Sequence, residues 1–287
     1  MTYKIAMSGA SGFVGSYLRK AFDEEGLDIV PLGRDDFSTG PEGLAKKMEN
    51  ADVVVNLAGA PVIRRWTKEY KKTIYDSRID VTKMLVEAFS VMKPKPKLLI
   101  STSAVGYYGS EGINTEDKYM KADDFLGHLA RDWEEEALRA GAIGIRTLIF
   151  RFGVVLGRDG GALKQMMTTF KFGLGGTIGD GSQGFSWIHI KDLSRAYIYA
   201  IENSACKGIY NLTAPNPSTN SGLTAALSKA LKKPSYLVIP TSVLKLKYGE
   251  GADALINGQS VIPKRLLESG FEFLFTEIDE AVRDCIS

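Results

Sequence analysis

Short apolar runs alternate with longer stretches whose apolar residues recur every three or four positions, and this rhythm organises the first half of the chain. Ile5-Ala6-Met7, Asp28 to Leu32, Asp52 to Leu57, Lys97 to Ser101 and Arg146 to Phe150 have the length and near-continuous apolar character of strands buried on both faces. Between the first two, Val14, Leu18, Ala21 and Phe22 share one helical face, and Gly26 stops that helix. Val81, Leu85, Val86 and Phe89 mark a second helix. A third is predicted from about Phe125 to Arg139, with Leu129, Trp133 and Leu138 toward the core. Strands alternating with helices in this way predict an α/β fold with a doubly wound parallel sheet.

After Gly153 the rhythm changes. Gly173 to Gly184 is glycine-rich and predicts irregular chain, whereas Ile190 to Glu202 is helical. Gly208-Ile209-Tyr210-Asn211-Leu212 reads as a strand returning to the first unit. From Ser218 onward, shorter elements separated by prolines predict a smaller C-terminal α/β lobe. The expected division is therefore 1–160 for the sheet domain, with 188–213 returning to it, and 161–187 plus 214–287 for the lobe.

The turn after the first strand reads Gly9-Ala10-Ser11-Gly12-Phe13-Val14-Gly15. Placed between a strand and a helix, this spacing is a dinucleotide-binding fingerprint of the Rossmann type. Gly9 allows the tight turn, Gly12 leaves bare backbone for a pyrophosphate, and Gly15 lets the helix approach the sheet. The helix start adds unpaired N–H groups and a positive dipole end. Ser11, Phe13 and Val14 lie on the same turn and join the predicted cofactor residues. The second strand is followed by Gly33-Arg34-Asp35-Asp36. Arginine here suits the 2′-phosphate of NADP, while Asp35 or Asp36 on a ribose would suit NAD; Arg34 makes NADP the preferred reading.

Composition narrows the setting. Net charge of +2 gives no basis for a nucleic-acid or membrane-surface partner. Two cysteines, Cys206 and Cys285, form neither a disulfide framework nor a zinc cluster, so a reducing cytoplasm and no metal are expected. No apolar run approaches the roughly 18 residues of a membrane span.

Together, the glycine turn, Asn56-Leu57-Ala58-Gly59, Ser101-Thr102-Ser103-Ala104-Val105 and Trp187-Ile188-His189-Ile190-Lys191-Asp192 resemble the extended short-chain dehydrogenase/reductases. Arg65-Trp66-Thr67, Asp76-Ser77-Arg78-Ile79-Asp80, Ser103 to Gly109, Gly173 to Gly176, Phe185 to His189 and Pro263 to Leu267 narrow the resemblance. They are similar to an atypical branch of NAD(P)-dependent epimerase-family proteins with its own C-terminal domain. The resemblance covers nearly the whole chain. It implies that Leu57, Ala58, Gly59 and Thr102 line the cofactor, and that Ser103 is the catalytic serine that bonds the reacting oxygen. Arg78 stands where wider relatives carry asparagine, either aimed at the cofactor phosphates or paired with a carboxylate. Helices of this fold often pair, so a homodimer is an open expectation.

Two departures matter. The resemblance calls for a proton-donating tyrosine with lysine four residues later, yet aligning Glu134 with its counterpart puts Leu126 and Ala130 at those places. Tyr107, Tyr108, Tyr119 and His128 are substitute donors nearby in sequence, each with a bland alternative as packing or surface residue. Phe185 occupies the place of an arginine that clamps the diphosphate of sugar nucleotides, which points to a small, largely uncharged ligand. His189 and Asp192 flank a helix start and are expected to cap and support it. The sequence therefore predicts an NADP(H)-binding oxidoreductase-like protein for an unidentified carbonyl or alcohol. A non-catalytic NADP(H) redox sensor stands as the alternative, and a sugar-nucleotide epimerase third.

Overall fold

Six parallel strands form the central sheet of the computed structural model, which describes residues 3–287. They are β1 (Lys4–Ser8), β2 (Asp28–Leu32), β3 (Val53–Asn56), β4 (Leu98–Ala104), β5 (Arg146–Phe152) and β6 (Gly208–Leu212), in the spatial order β6-β5-β4-β3-β1-β2. The chain runs to one side of β1 for β2 and to the other for β3, so a topological switch point lies between the carboxyl ends of β1 and β3. Register places Ser8 beside Asn56, and Asn56 beside Ser101, along that edge.

Strand alternation divides the apolar residues between two layers. Ile5, Met7, Val53, Val55, Leu98, Ile100, Leu148 and Phe150 face α1 (Phe13–Glu24) and α4 (Ile190–Glu202), meeting Leu18, Phe22, Leu193 and Tyr197. Ala6, Val54, Leu99 and Ile149 face α2 (Lys68–Val91) and α3 (Phe125–Ala142), meeting Leu85, Phe89, Ala137 and Ala140. In α3, Leu129 and Trp133 are buried as predicted, but Leu138 is 43 % exposed. The inward stripe passes through Ala137 and Ala140 instead, because 3.6 residues per turn carry Leu138 off the buried face.

A third core joins Leu156, Leu163, Phe170 and Trp187 to α5 (Asn220–Leu231) and α6 (Ile278–Ile286) through Leu223, Leu227 and Val282. The glycine-rich stretch predicted as irregular contains two short strands. Gly176–Ile178 pairs with Leu237–Ile239, and Gly184–Phe185 pairs with Ser218–Thr219. Glycine is required there by crowding: a Cβ on Gly176 would stand 2.0 Å from the Leu237 carbonyl oxygen. Among the described residues no helix is long and apolar enough to cross a membrane.

Candidate dinucleotide and reaction site

The glycine turn at the carboxyl end of β1 is shaped by contacts that no side chain could share. Gly9 has φ +68°, and a Cβ there would meet the Leu57 carbonyl oxygen at 2.8 Å. A Cβ on Gly15 would meet the Gly9 oxygen at 2.2 Å. Gly12 N donates to Gly9 O at 3.0 Å, closing the turn. Gly12 also caps α1, and no side chain caps the helix, which leaves its first amides without a side-chain acceptor. Ser11 and Gly12 are exposed, Phe13 and Val14 half-buried. Phe13 leans on Gly157 and Gly160, where a Cβ would come within 2.8 and 2.3 Å of its ring.

Beyond β2, Arg34 opens a one-turn helix, Arg34–Phe37. Asp36 Oδ2 accepts from Gly33 N at 2.7 Å, so this carboxylate is engaged by its own turn. Arg34 is exposed and forms no hydrogen bond or ion pair among the described residues. The second loop, Leu57-Ala58-Gly59, is tied to the first through buried Asn56. Ser8 Oγ donates to Asn56 Oδ1 at 2.7 Å, and Asn56 Nδ2 donates to Thr82 Oγ1 at 2.9 Å. Leu57 N in turn donates to Ser8 Oγ at 3.2 Å.

Arg78, on α2, reaches back over this loop. Its Nη1 donates to Ile74 O at 3.0 Å and its Nη2 to Ala60 O at 3.1 Å. The guanidinium lies 5.2 Å from the Trp133 ring centroid. Among the described residues no carboxylate pairs with it, and burial pulls its pKa down to about 10. Of the two roles open in sequence, the carboxylate pair is absent from this geometry.

The reaction end shows the largest difference between a named residue and its surroundings. Ser101 and Ser103 face α3, whereas Thr102 faces α4 and lies 3.3 Å from the Tyr197 hydroxyl. Ser103 is buried, and its Oγ donates to Glu134 Oε1 at 2.7 Å. Glu134 is clasped by Arg151, with Nε to Oε1 at 2.7 Å and Nη2 to Oε2 at 2.6 Å. Arg151 Nη1 donates to the Tyr108 hydroxyl at 2.7 Å, which itself donates to Asn211 Oδ1 at 2.7 Å. Burial opposes the Arg151 cation, but its bonds to Glu134 hold the pKa above the usual arginine range.

Leu126 and Ala130 occupy the predicted tyrosine and lysine places. Ala130 packs with Val105, Tyr107, Tyr108 and Val261 in a small apolar cluster. The substitute donors have other engagements. Burial pushes Tyr108 up to about 12 and also raises Tyr107, whose ring centroid lies 3.5 Å from the Arg151 guanidinium. Tyr119 stacks edge-on against both tyrosines. His128 is exposed, between Arg131 at 2.7 Å and Asp123 at 3.1 Å. Sequence reasoning missed Arg151 and Asn211 as members of this network. The available signal was a lone arginine inside the apolar strand Leu148-Ile149-Phe150-Arg151-Phe152.

Phe185 is half-buried against the third core. His189 Nδ1 caps α4 by accepting from Lys191 N at 3.2 Å. Asp192 accepts from Leu274 N at 2.8 Å and Phe275 N at 2.9 Å.

A parallel sheet with a switch point beside a glycine turn, a returning β6 and an appended C-terminal unit defines an extended short-chain dehydrogenase/reductase fold of the atypical branch. Residues 5–213 match the model of the NAD dependent epimerase/dehydratase family, and residues 239–285 match a domain of unknown function, DUF1731. The chain belongs to the NAD dependent epimerase/dehydratase family. It is 37% identical over 297 residues to Epimerase family protein YfhF of Bacillus subtilis, covering 99% of this chain and 98% of the relative. Identity is also 37% to the chloroplastic Epimerase family protein SDR39U1 homolog of Arabidopsis thaliana, covering 97% and 85%. Human epimerase family protein SDR39U1, crystallised with NADPH, superposes with a TM-score of 0.90 at 30% identity over 99% of each chain. UDP-glucuronic acid 4-epimerase from Bacillus cereus shares the fold, with a TM-score of 0.80 at 19% identity.

Proposed function

We propose that this chain binds NADP(H) and exchanges hydride with a small, largely uncharged alcohol or carbonyl. The observation that carries the cofactor half is the unpaired Arg34 after β2, together with a turn after β1 where a Cβ on Gly9 or Gly15 would collide with backbone. The NADPH found with the human relative supports the same reading. Gly9, Ser11, Gly12, Phe13, Val14 and Gly15 would hold the pyrophosphate, Arg34 the 2′-phosphate, and Leu57, Ala58, Gly59 and Thr102 the sugar and ring. The nicotinamide, when bound, supplies the hydride.

For the reacting oxygen, Ser103 is the proposed partner. Its own proton is directed to Glu134, so toward a ligand its oxygen can accept but not donate while that bond stands. This polarity favours an alcohol as the bonded ligand, its hydroxyl directed at Ser103 Oγ and its released proton passing to water. Half-buried Phe185 in place of a cation supports an uncharged ligand over a nucleotide sugar.

A second reading, a sensor that binds NADP(H) without turnover, is favoured by Leu126 and Ala130, neither of which can donate a proton. Calorimetry with NADPH and NADH tests the cofactor. NADPH should bind at least about tenfold tighter than NADH, and Arg34→Ala should remove that preference. Equal affinity for the two would defeat the NADP assignment. Nicotinamide absorbance followed against an alcohol and carbonyl panel separates the enzyme from the sensor: turnover lost in Ser103→Ala supports the enzyme, and tight binding with no turnover supports the sensor.

A further inference from the structure

Arg78, on α2, lays its guanidinium over the Gly59–Ala60 loop after β3 without an anion of its own. Its neighbours among the cations are otherwise engaged. Arg151 is paired with Glu134, Lys71 with Glu250, and Arg131 with Ala122 O and His128. Arg78 instead donates to two backbone carbonyls, Ile74 O and Ala60 O. Those bonds fix its orientation but leave the positive charge uncompensated. Three of its five N–H groups remain free for another acceptor. A cation held half-buried in this way is costly unless a negatively charged or oxygen-rich ligand completes it.

Its place along the sheet says which part of a ligand it would meet. A dinucleotide lying across the switch point follows the strand order. Arg34, after β2, marks the adenosine end, and the Gly9–Gly15 turn, after β1, marks the pyrophosphate. Gly59 follows β3, toward Ser103 at the end of β4. Arg78 stands on Gly59: a Cβ at that glycine would be 2.9 Å from the guanidinium carbon. The glycine is therefore open for the arginine, as Gly9 is for the loop beside it. Trp133, under the guanidinium, lies one helical turn from Ala130, so the small alanine leaves this side of α3 without a cation of its own.

Building on the NADP(H) reading above, we propose that Arg78 binds the ribose-5-phosphate unit on the nicotinamide side of the cofactor. It acts separately from Arg34 and from the glycine turn. The residue is thus a cofactor-positioning cation that sets how the reactive end lies toward Ser103.

Three probes divide the ligand: NADPH, 2′-phospho-ADP-ribose, which keeps the ribose-phosphate but lacks nicotinamide, and adenosine 2′,5′-bisphosphate, which lacks both. Arg78→Met keeps an unbranched apolar stem over Trp133, and a thermal unfolding midpoint no lower than wild type verifies that the fold survives. By calorimetry, Arg78→Met should weaken NADPH and 2′-phospho-ADP-ribose by about tenfold to a hundredfold, and adenosine 2′,5′-bisphosphate by less than about twofold. Arg78→Lys should recover part of the loss, and Arg34→Ala should weaken all three. Unchanged NADPH affinity in Arg78→Met overturns the assignment. Equal loss for all three probes overturns it too, because the substitution would then act through the loop. A wild-type chain that binds none of the probes removes the cofactor reading itself, an outcome distinct from either.

Discussion

Gly15 and Gly26 lie at opposite ends of α1, and the two glycines are needed for different reasons. At Gly15 the limit is space, since a Cβ would sit 2.2 Å from the Gly9 oxygen and 2.9 Å from the Ala10 Cα. At Gly26 the limit is only the backbone, φ +69°, with nothing within 4 Å of the added carbon. Gly15→Ala must push the helix off the sheet, costing about 1–3 kcal/mol as overpacking does, and it should also abolish nucleotide binding. Gly26→Ala should cost about 1 kcal/mol and leave nucleotide binding intact. Thermal unfolding and NADPH titration of the pair check this, and normal NADPH binding by the Gly15→Ala variant would contradict the proposed turn. Both glycines were readable from spacing alone. The direction of a side chain was not: Ser103 was named from the family resemblance, but its pairing with Glu134 depends on which sheet face α3 covers. That is a tertiary fact with no local signature.

At the scale of elements, α3 and β5 are joined by a polar clasp inside an otherwise apolar layer. Glu134 and Arg151 are each almost fully buried, and their carboxylate and guanidinium meet in a two-pronged contact. Removing one partner strands the other charge, so Glu134→Leu or Arg151→Met alone should destabilise by about 3–5 kcal/mol. The double substitution removes both charges together and should cost less than the sum of the two, by about 1 kcal/mol or more. Chemical denaturation of the four proteins measures this coupling, and simple additivity would mean that the clasp is not the interaction holding these elements. Legibility at this scale followed the strength of the apolar signal. The strands and helices carrying leucine, valine and isoleucine stripes were read correctly. Leu138 was misplaced because the buried stripe continues through Ala137 and Ala140, whose single methyl groups carry little periodic signal. Helix Gly161–Lys171 was missed between glycine-rich flanks.

For the molecule as a whole, the sheet unit is fastened to the C-terminal segment at the start of α4. Asp192 holds the Leu274 and Phe275 amides, Lys191 pairs with Asp284, and His189 lies against Phe275 at 3.9 Å between ring centroids. The returning β6 was legible as a short apolar strand, but this fastening depends on residues about 80 positions apart and left no pattern to read. The His189 side chain is 1 % exposed, and its Nε2 lies 3.3 Å from Asp284 without a hydrogen bond's geometry. Burial lowers the imidazole to about 4; Asp284 acts against this shift and Lys191 with it. The unfolded chain holds that proton up to about pH 6.5. Between these values the unfolded state binds more protons, so the stability contribution is complete above about pH 6.5 and is lost as pH falls toward 4. Protonation also removes the Nδ1 lone pair that caps α4, so the electrostatic and capping effects have the same sign. From pH 7 to pH 5 the imidazole should cost the fold about 2 kcal/mol. Burial raises the nearby Asp192 carboxyl, which titrates with the opposite sign, so the comparison must be differential. Asparagine can cap a helix without titrating, so His189→Asn should be less stable at pH 7 yet lose about 2 kcal/mol less than wild type on going to pH 5. Urea denaturation of both proteins at the two pH values reads this directly. Parallel losses would show that the acid sensitivity of the join does not reside in His189.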